Sequence, residues 1–125
     1  KFCSEMDRWA LLEHTVSNSS TSEVHFDFLV ENGSDCLTWK MLKLPKLNGS
    51  FVKIILQPNH RLVWLTTEYQ KLSRERGYVR RIGFGNYSIL ENNLSKDNFS
   101  LKLSGESLRG IFRKQGNLCY LCKKI

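Results

Sequence analysis

The chain has 125 residues, 41% hydrophobic, 11% aromatic and 25% charged, enough apolar material for one globular domain over 1–125 with its own core and too little length for a second. Nineteen Lys and Arg against twelve Asp and Glu leave a formal charge of +7, which favours a polyanionic partner such as nucleic acid or an anionic membrane. No apolar run approaches the roughly 20 residues of a membrane-spanning helix, and Lys1 is not followed by the apolar stretch of a signal peptide, so the expectation is a cytoplasmic protein without a membrane partner.

In chain order, the first apolar segment is Trp9-Ala10-Leu11-Leu12, followed by His14 and then by the small polar run Ser17 to Ser22, which reads as a flexible loop. Short alternating segments follow, at Val24 to Val30, Leu37 to Leu42, Phe51 to Leu56, Arg61 to Thr66, Tyr78 to Ile82, Phe99 to Leu103, Leu108 to Arg113 and Leu118 to Cys122. They read as antiparallel strands of a mainly β barrel or sandwich. Asn32-Gly33, Asn48-Gly49, Ser104-Gly105 and Gly116-Asn117 supply turn signals between such runs. Thr67 to Arg76 is polar, has no apolar period and ends at Gly77, which fits a short helix or a mobile basic loop equally.

Within Val24 to Glu31 the even positions are all apolar, so a strand buries Val24, Phe26, Phe28 and Val30, and His25, Asp27, Leu29 and Glu31 share the opposite face. An imidazole and a carboxylate two residues apart on one face can ligate a single divalent ion, with His14 folding back as the third ligand. Spacing alone favours the plainer reading, a solvated strand face. His60 and Arg61 stand at the mouth of a further strand, where an imidazole and a guanidinium can meet a phosphate, although an exposed turn fits as well. Arg74, Arg76, Arg80 and Arg81 are interleaved with aromatic residues including Tyr78 and Phe84, the composition of a groove that tracks a nucleic-acid backbone.

Cys3, Cys36, Cys119 and Cys122 permit two disulfides in an exported protein or four thiols in a reduced one. The Cys119 to Cys122 spacing is that of a zinc or redox pair, but on a strand its two thiols point to opposite faces, which argues against metal binding there. Asn-x-Ser sequons at Asn18, Asn48, Asn86, Asn93 and Asn98 are what chance gives in a chain rich in Asn and Ser.

The order of these residues resembles the 3′-phosphoesterase domain of bacterial DNA ligase D and its short free-standing relatives, over nearly the whole chain. The residues that carry the resemblance are His14 after an apolar strand, His25-Phe26-Asp27 leading to Glu31, Leu37-Thr38-Trp39, and His60 leading to Glu68. The turn Leu103-Ser104-Gly105-Glu106-Ser107-Leu108-Arg109-Gly110 precedes a last strand ending in Lys123-Lys124. The resemblance implies a small, closed or partly closed antiparallel β-barrel with at most one or two short helices. It also implies removal of a terminal ribonucleoside or 3′-phosphate from DNA or RNA/DNA 3′ ends before ligation. On the same basis His14, His25 and Asp27 are metal ligands for Mn²⁺ or another divalent ion, and His60, with Arg61 and Glu68 beside it, is the catalytic group at the phosphate. The implied partners are those ends and a DNA ligase or end-joining protein, with the chain acting as a monomer.

This chain departs from the family by a longer loop between His14 and His25 and by Leu29 where ligase D domains carry an arginine. Leu29 leaves turnover open, and restoring the charge by Leu29→Arg is expected to speed the reaction. Competing readings are a non-catalytic nucleic-acid-binding barrel and a secreted, cationic, disulfide-bonded binding protein.

Overall fold

The computed structural model describes residues 7–17, 22–91, 94 and 97–123. Cys3, the sequons at Asn18 and Asn93, residues 18–21 of the expected Ser17 to Ser22 loop and Lys124 lie outside them, while Ser17 and Ser22 themselves belong to strands. Among the described residues ten strands follow in order: β1 Arg8–Ser17, β2 Ser22–Asn32, β3 Asp35–Met41, β4 Val52–Lys53, β5 Ile55–Arg61, β6 Tyr69–Lys71, β7 Tyr78–Glu91, β8 Asn98–Glu106, β9 Gly110–Gln115 and β10 Leu118–Cys122. One turn of 3-10 helix, Leu62–Leu65, lies between β5 and β6. No helix among the described residues is long and apolar enough to cross a membrane.

All strands belong to one sheet of order β4-β10-β9-β8-β7-β1-β2-β3-β5, with β6 on the free edge of β7. Every strand ladder is antiparallel. β4 and β5, the two ends of this order, are separated in the chain by Ile54 alone, whose backbone N–H donates to the Asn117 carbonyl at 2.8 Å. Chain continuity, rather than a last hydrogen-bonded ladder, therefore completes the wall. The result is a mainly β, partly closed antiparallel barrel, as the sequence leads one to expect.

Two apolar clusters occupy the two faces of the β1–β2 region. Trp9, Leu11, Phe28, Val30, Trp39, Met41, Leu101 and Phe112 fill the barrel interior, with the Phe28 and Phe112 ring centroids 4.7 Å apart. Burying each such side chain stabilises by about 1.5–3 kcal/mol. Ala10, Leu12, Leu29, Cys36, Leu65 and Val79 form the second cluster, with Leu62, Trp64 and Leu72 packed against it. Among the described residues no buried side-chain N or O lacks a hydrogen-bond partner.

This second cluster corrects the sequence reading in several places. The odd-numbered face of β2 is not solvated: Asp27, Leu29 and Glu31 are all buried, whereas Val24, expected inside, is exposed. Of the expected strand Arg61 to Thr66 only Arg61 is extended, because Leu62 and Leu65 must fall on one side to cover the cluster, and the threefold repeat of a 3-10 turn places them there. Thr67 to Arg76 is neither helix nor uniform loop, since it contributes β6 and half of the hairpin that joins β6 to β7. Ser104-Gly105 lies inside β8 rather than at a reversal, and Gly105, at φ 135°, meets Gly85 of β7 across the ladder. Cys36, Cys119 and Cys122 are free thiols, and burial pushes the first two up to about 11 and about 12.

Candidate metal centre

His14 and His25 are paired directly across the β1–β2 ladder, and antiparallel pairing puts both side chains on the same face. Their ring centroids are 4.6 Å apart in an edge-on arrangement. Asp27, two residues along β2, faces the same way, and its Oδ1 lies 3.5 Å from His25 Nε2. One ligand atom from each of His14, His25 and Asp27 lies within 4.8 Å of the other two. Adjacent ligands around a divalent ion at about 2.1 Å stand about 3 Å apart, so the His25–Asp27 spacing is close to a ligating one.

The donor set of two imidazoles and one carboxylate suits a first-row divalent ion and leaves positions for oxygen ligands. The electrostatics favour a neutral, ligating imidazole at His25. Burial pushes its pKa below the ordinary value, Asp27 opposes that shift, and His14 and Lys40 reinforce it. Lys40 is aligned with Asp27 across the β2–β3 ladder and brings a positive charge to the rim of the cluster. On the far side, His14 Nε2 lies 2.9 Å from the Arg76 carbonyl, in the loop between β6 and β7.

The other residues singled out from sequence are not gathered at this cluster. His60 pairs with Cys36, four residues along β3 from Lys40, a displacement of about 13 Å along the strand. Its Nδ1 lies 3.1 Å from the Pro58 carbonyl. Arg61 is exposed at the start of the 3-10 turn, and its carbonyl accepts the Cys36 thiol. Glu68 is exposed, and its backbone carbonyl accepts the Arg81 N–H at 2.9 Å.

The four arginines do not form one stripe. Arg80 and Arg81 are adjacent on β7 and face opposite sides. Arg80 is paired with Glu13 at 2.9 Å, and Arg81 donates to the Leu65 carbonyl at 2.8 Å while lying 4.1 Å over the Phe84 ring. Arg81 and Phe84, with Arg8 and Thr66, line a cavity of about 520 Å³. Arg76 turns back on Ser73 through two hydrogen bonds. Arg74 lines a second cavity, of about 650 Å³, with Lys71 and the tilted ring pair Tyr69–Tyr78, centroids 5.7 Å apart.

Sequence reasoning passed over Lys40, Tyr69 and the Arg76 carbonyl. Lys40 was within reach of it, because a hairpin turning after Asn32-Gly33 places residue 40 opposite residue 27. Comparison with family models and with curated proteins finds no match to this chain.

Proposed function

We propose that this barrel is a divalent-metal phosphoesterase acting on the 3′ ends of DNA or RNA/DNA strands in the cytoplasm, with Mn²⁺ as the favoured ion. The convergence of His14, His25 and Asp27 carries this reading, and the resemblance of the motif order to the ligase D 3′-phosphoesterase domain supplies the substrate class. When bound, the ion supplies Lewis-acid polarisation of a phosphate oxygen. The chain's own contribution is to hold two imidazoles and one carboxylate on one face of the β1–β2 pair, with His25 kept neutral by burial and Lys40 placed to favour an anionic substrate there. A DNA ligase or another end-joining protein would take the resulting 3′-hydroxyl.

A second reading, a metal-binding nucleic-acid module without turnover, draws on two observations. Leu29 is fully buried in an apolar cluster at the position where the family's arginine would stand, and His60 lies well along the sheet from the metal ligands. A primer bearing a 3′-phosphate or a 3′-terminal ribonucleotide, incubated with manganese, separates the two. The enzyme reading expects product release that Asp27→Asn abolishes and His60→Ala reduces. Equal background in all three proteins with retained end binding establishes the binding module instead.

A further inference from the structure

We infer that the loop from Leu72 to Gly77 is a built-in positioning device for His14, holding its imidazole as the Nε2–H tautomer so that the Nδ1 lone pair is the one presented for metal ligation. The inference deepens the metal-centre reading and rests on it for its consequence, though not for its direct measurement. A carbonyl oxygen only accepts hydrogen bonds, so at 2.9 Å from the Arg76 carbonyl the His14 Nε2 must be the protonated nitrogen. In a neutral imidazole the lone pair then resides on Nδ1. Backbone carbonyls that fix a ligating histidine in this way set its tautomer and ring orientation.

The loop is anchored for this task from several directions. The Leu72 N–H donates to the Gly77 carbonyl at 2.8 Å and closes the turn, while the Leu72 side chain packs on the second apolar cluster. Arg76 Nε and Nη2 donate to the carbonyl and hydroxyl of Ser73, clipping the loop internally. Arg74 and Glu75, at left-handed φ values of 57° and 61°, are the central residues of a tight hairpin turn closed by the Arg76 N–H donating to the Ser73 carbonyl at 3.3 Å. Gly77, at φ 81°, seats the loop against β1: a Cβ there would lie 1.7 Å from the Thr15 carbonyl oxygen, one residue from His14. Only glycine lets the two backbones approach closely enough for the Arg76 carbonyl to reach the imidazole.

The tautomer is read directly in the metal-free wild-type protein by nitrogen NMR of the imidazole rings. His14 protonated at Nε2 is the expected result, and protonation at Nδ1 overturns the inference. Gly77→Ala should lift the loop, abolish the Nε2–H preference and weaken Mn²⁺ affinity about 10- to 100-fold, as followed by the spectrum of free manganese, with unchanged circular dichroism. Unchanged affinity in a folded Gly77→Ala protein also overturns it. Should Gly77→Ala fail to fold, the wild-type tautomer alone decides. Absence of manganese binding by the wild type refutes the metal-centre reading and leaves the tautomer measurement to judge the loop separately.

Discussion

At the scale of single residues, Leu29 is the position where structure changes the chemical expectation most. It faces the same side as His25 and Asp27, but Ala10, Leu12, Cys36, Leu65 and Val79 share its cluster, and none of its surface is exposed. An arginine introduced there would bury an unpaired guanidinium in apolar surroundings before it could meet a phosphate. Leu29→Arg is therefore expected to destabilise the fold by about 3 kcal/mol or more, measured by urea denaturation, rather than to accelerate catalysis as the sequence alone suggests. Leu29→Met should cost under about 1.5 kcal/mol. That His25 and Asp27, two of the candidate ligands, share a face was legible because alternation along β2 fixes it. Direct pairing of His14 with His25 was not, since it depends on the register across residues 18–21, where no turn-specifying residue pair sets the hairpin.

At the scale of elements, β7 is the hub. Its first residues pair with β6 and its later ones with β8 on one edge, while β1 runs along the other. The close crossing of Gly85 with Gly105 lets β7 and β8 stay paired as the edge changes partner, because a Cβ on Gly85 would lie 1.7 Å from the Ser104 carbonyl oxygen. Gly85→Val should cost about 3 kcal/mol, at the upper end for overpacking since backbone must move, with loss of amide protection focused on β8. The strands were visible from sequence as period-two runs. The 3-10 turn was not, because Leu62-Val63-Trp64-Leu65 has strand composition and only the second apolar cluster, a tertiary feature, selects a threefold repeat.

At the scale of the whole molecule, both sides of the sheet around β1 and β2 carry buried residues, and the buried Glu31 carboxylate is held in an ion pair. Arg8 grips the Glu31 carboxylate through Nε at 2.8 Å and Nη2 at 2.9 Å, and the Tyr87 hydroxyl donates to the Glu31 carbonyl at 2.7 Å, tying β1, β2 and β7 together. The hydrogen bonds from Arg8 hold the Glu31 carboxyl below its ordinary value of 4.5. The folded state thus favours the charged form, so this contribution is complete above pH 4.5 and is lost as pH falls through the lowered value. Glu31→Gln should flatten the fall in urea midpoint on acidification. The excess of seven positive charges should make binding to a DNA end salt-dependent, with a slope of about −0.9 in log affinity per duplex phosphate contacted; a salt-independent affinity, or none, would remove nucleic acid as the partner.

Whether His14, His25 and Asp27 form one metal site is read from calorimetric titration of the wild type and of His25→Ala with manganese. One ion per chain for the wild type, with affinity lost in His25→Ala while the thermal transition stays cooperative, is the result this account expects. Equal affinity in the two proteins, or no binding by the wild type, would contradict it.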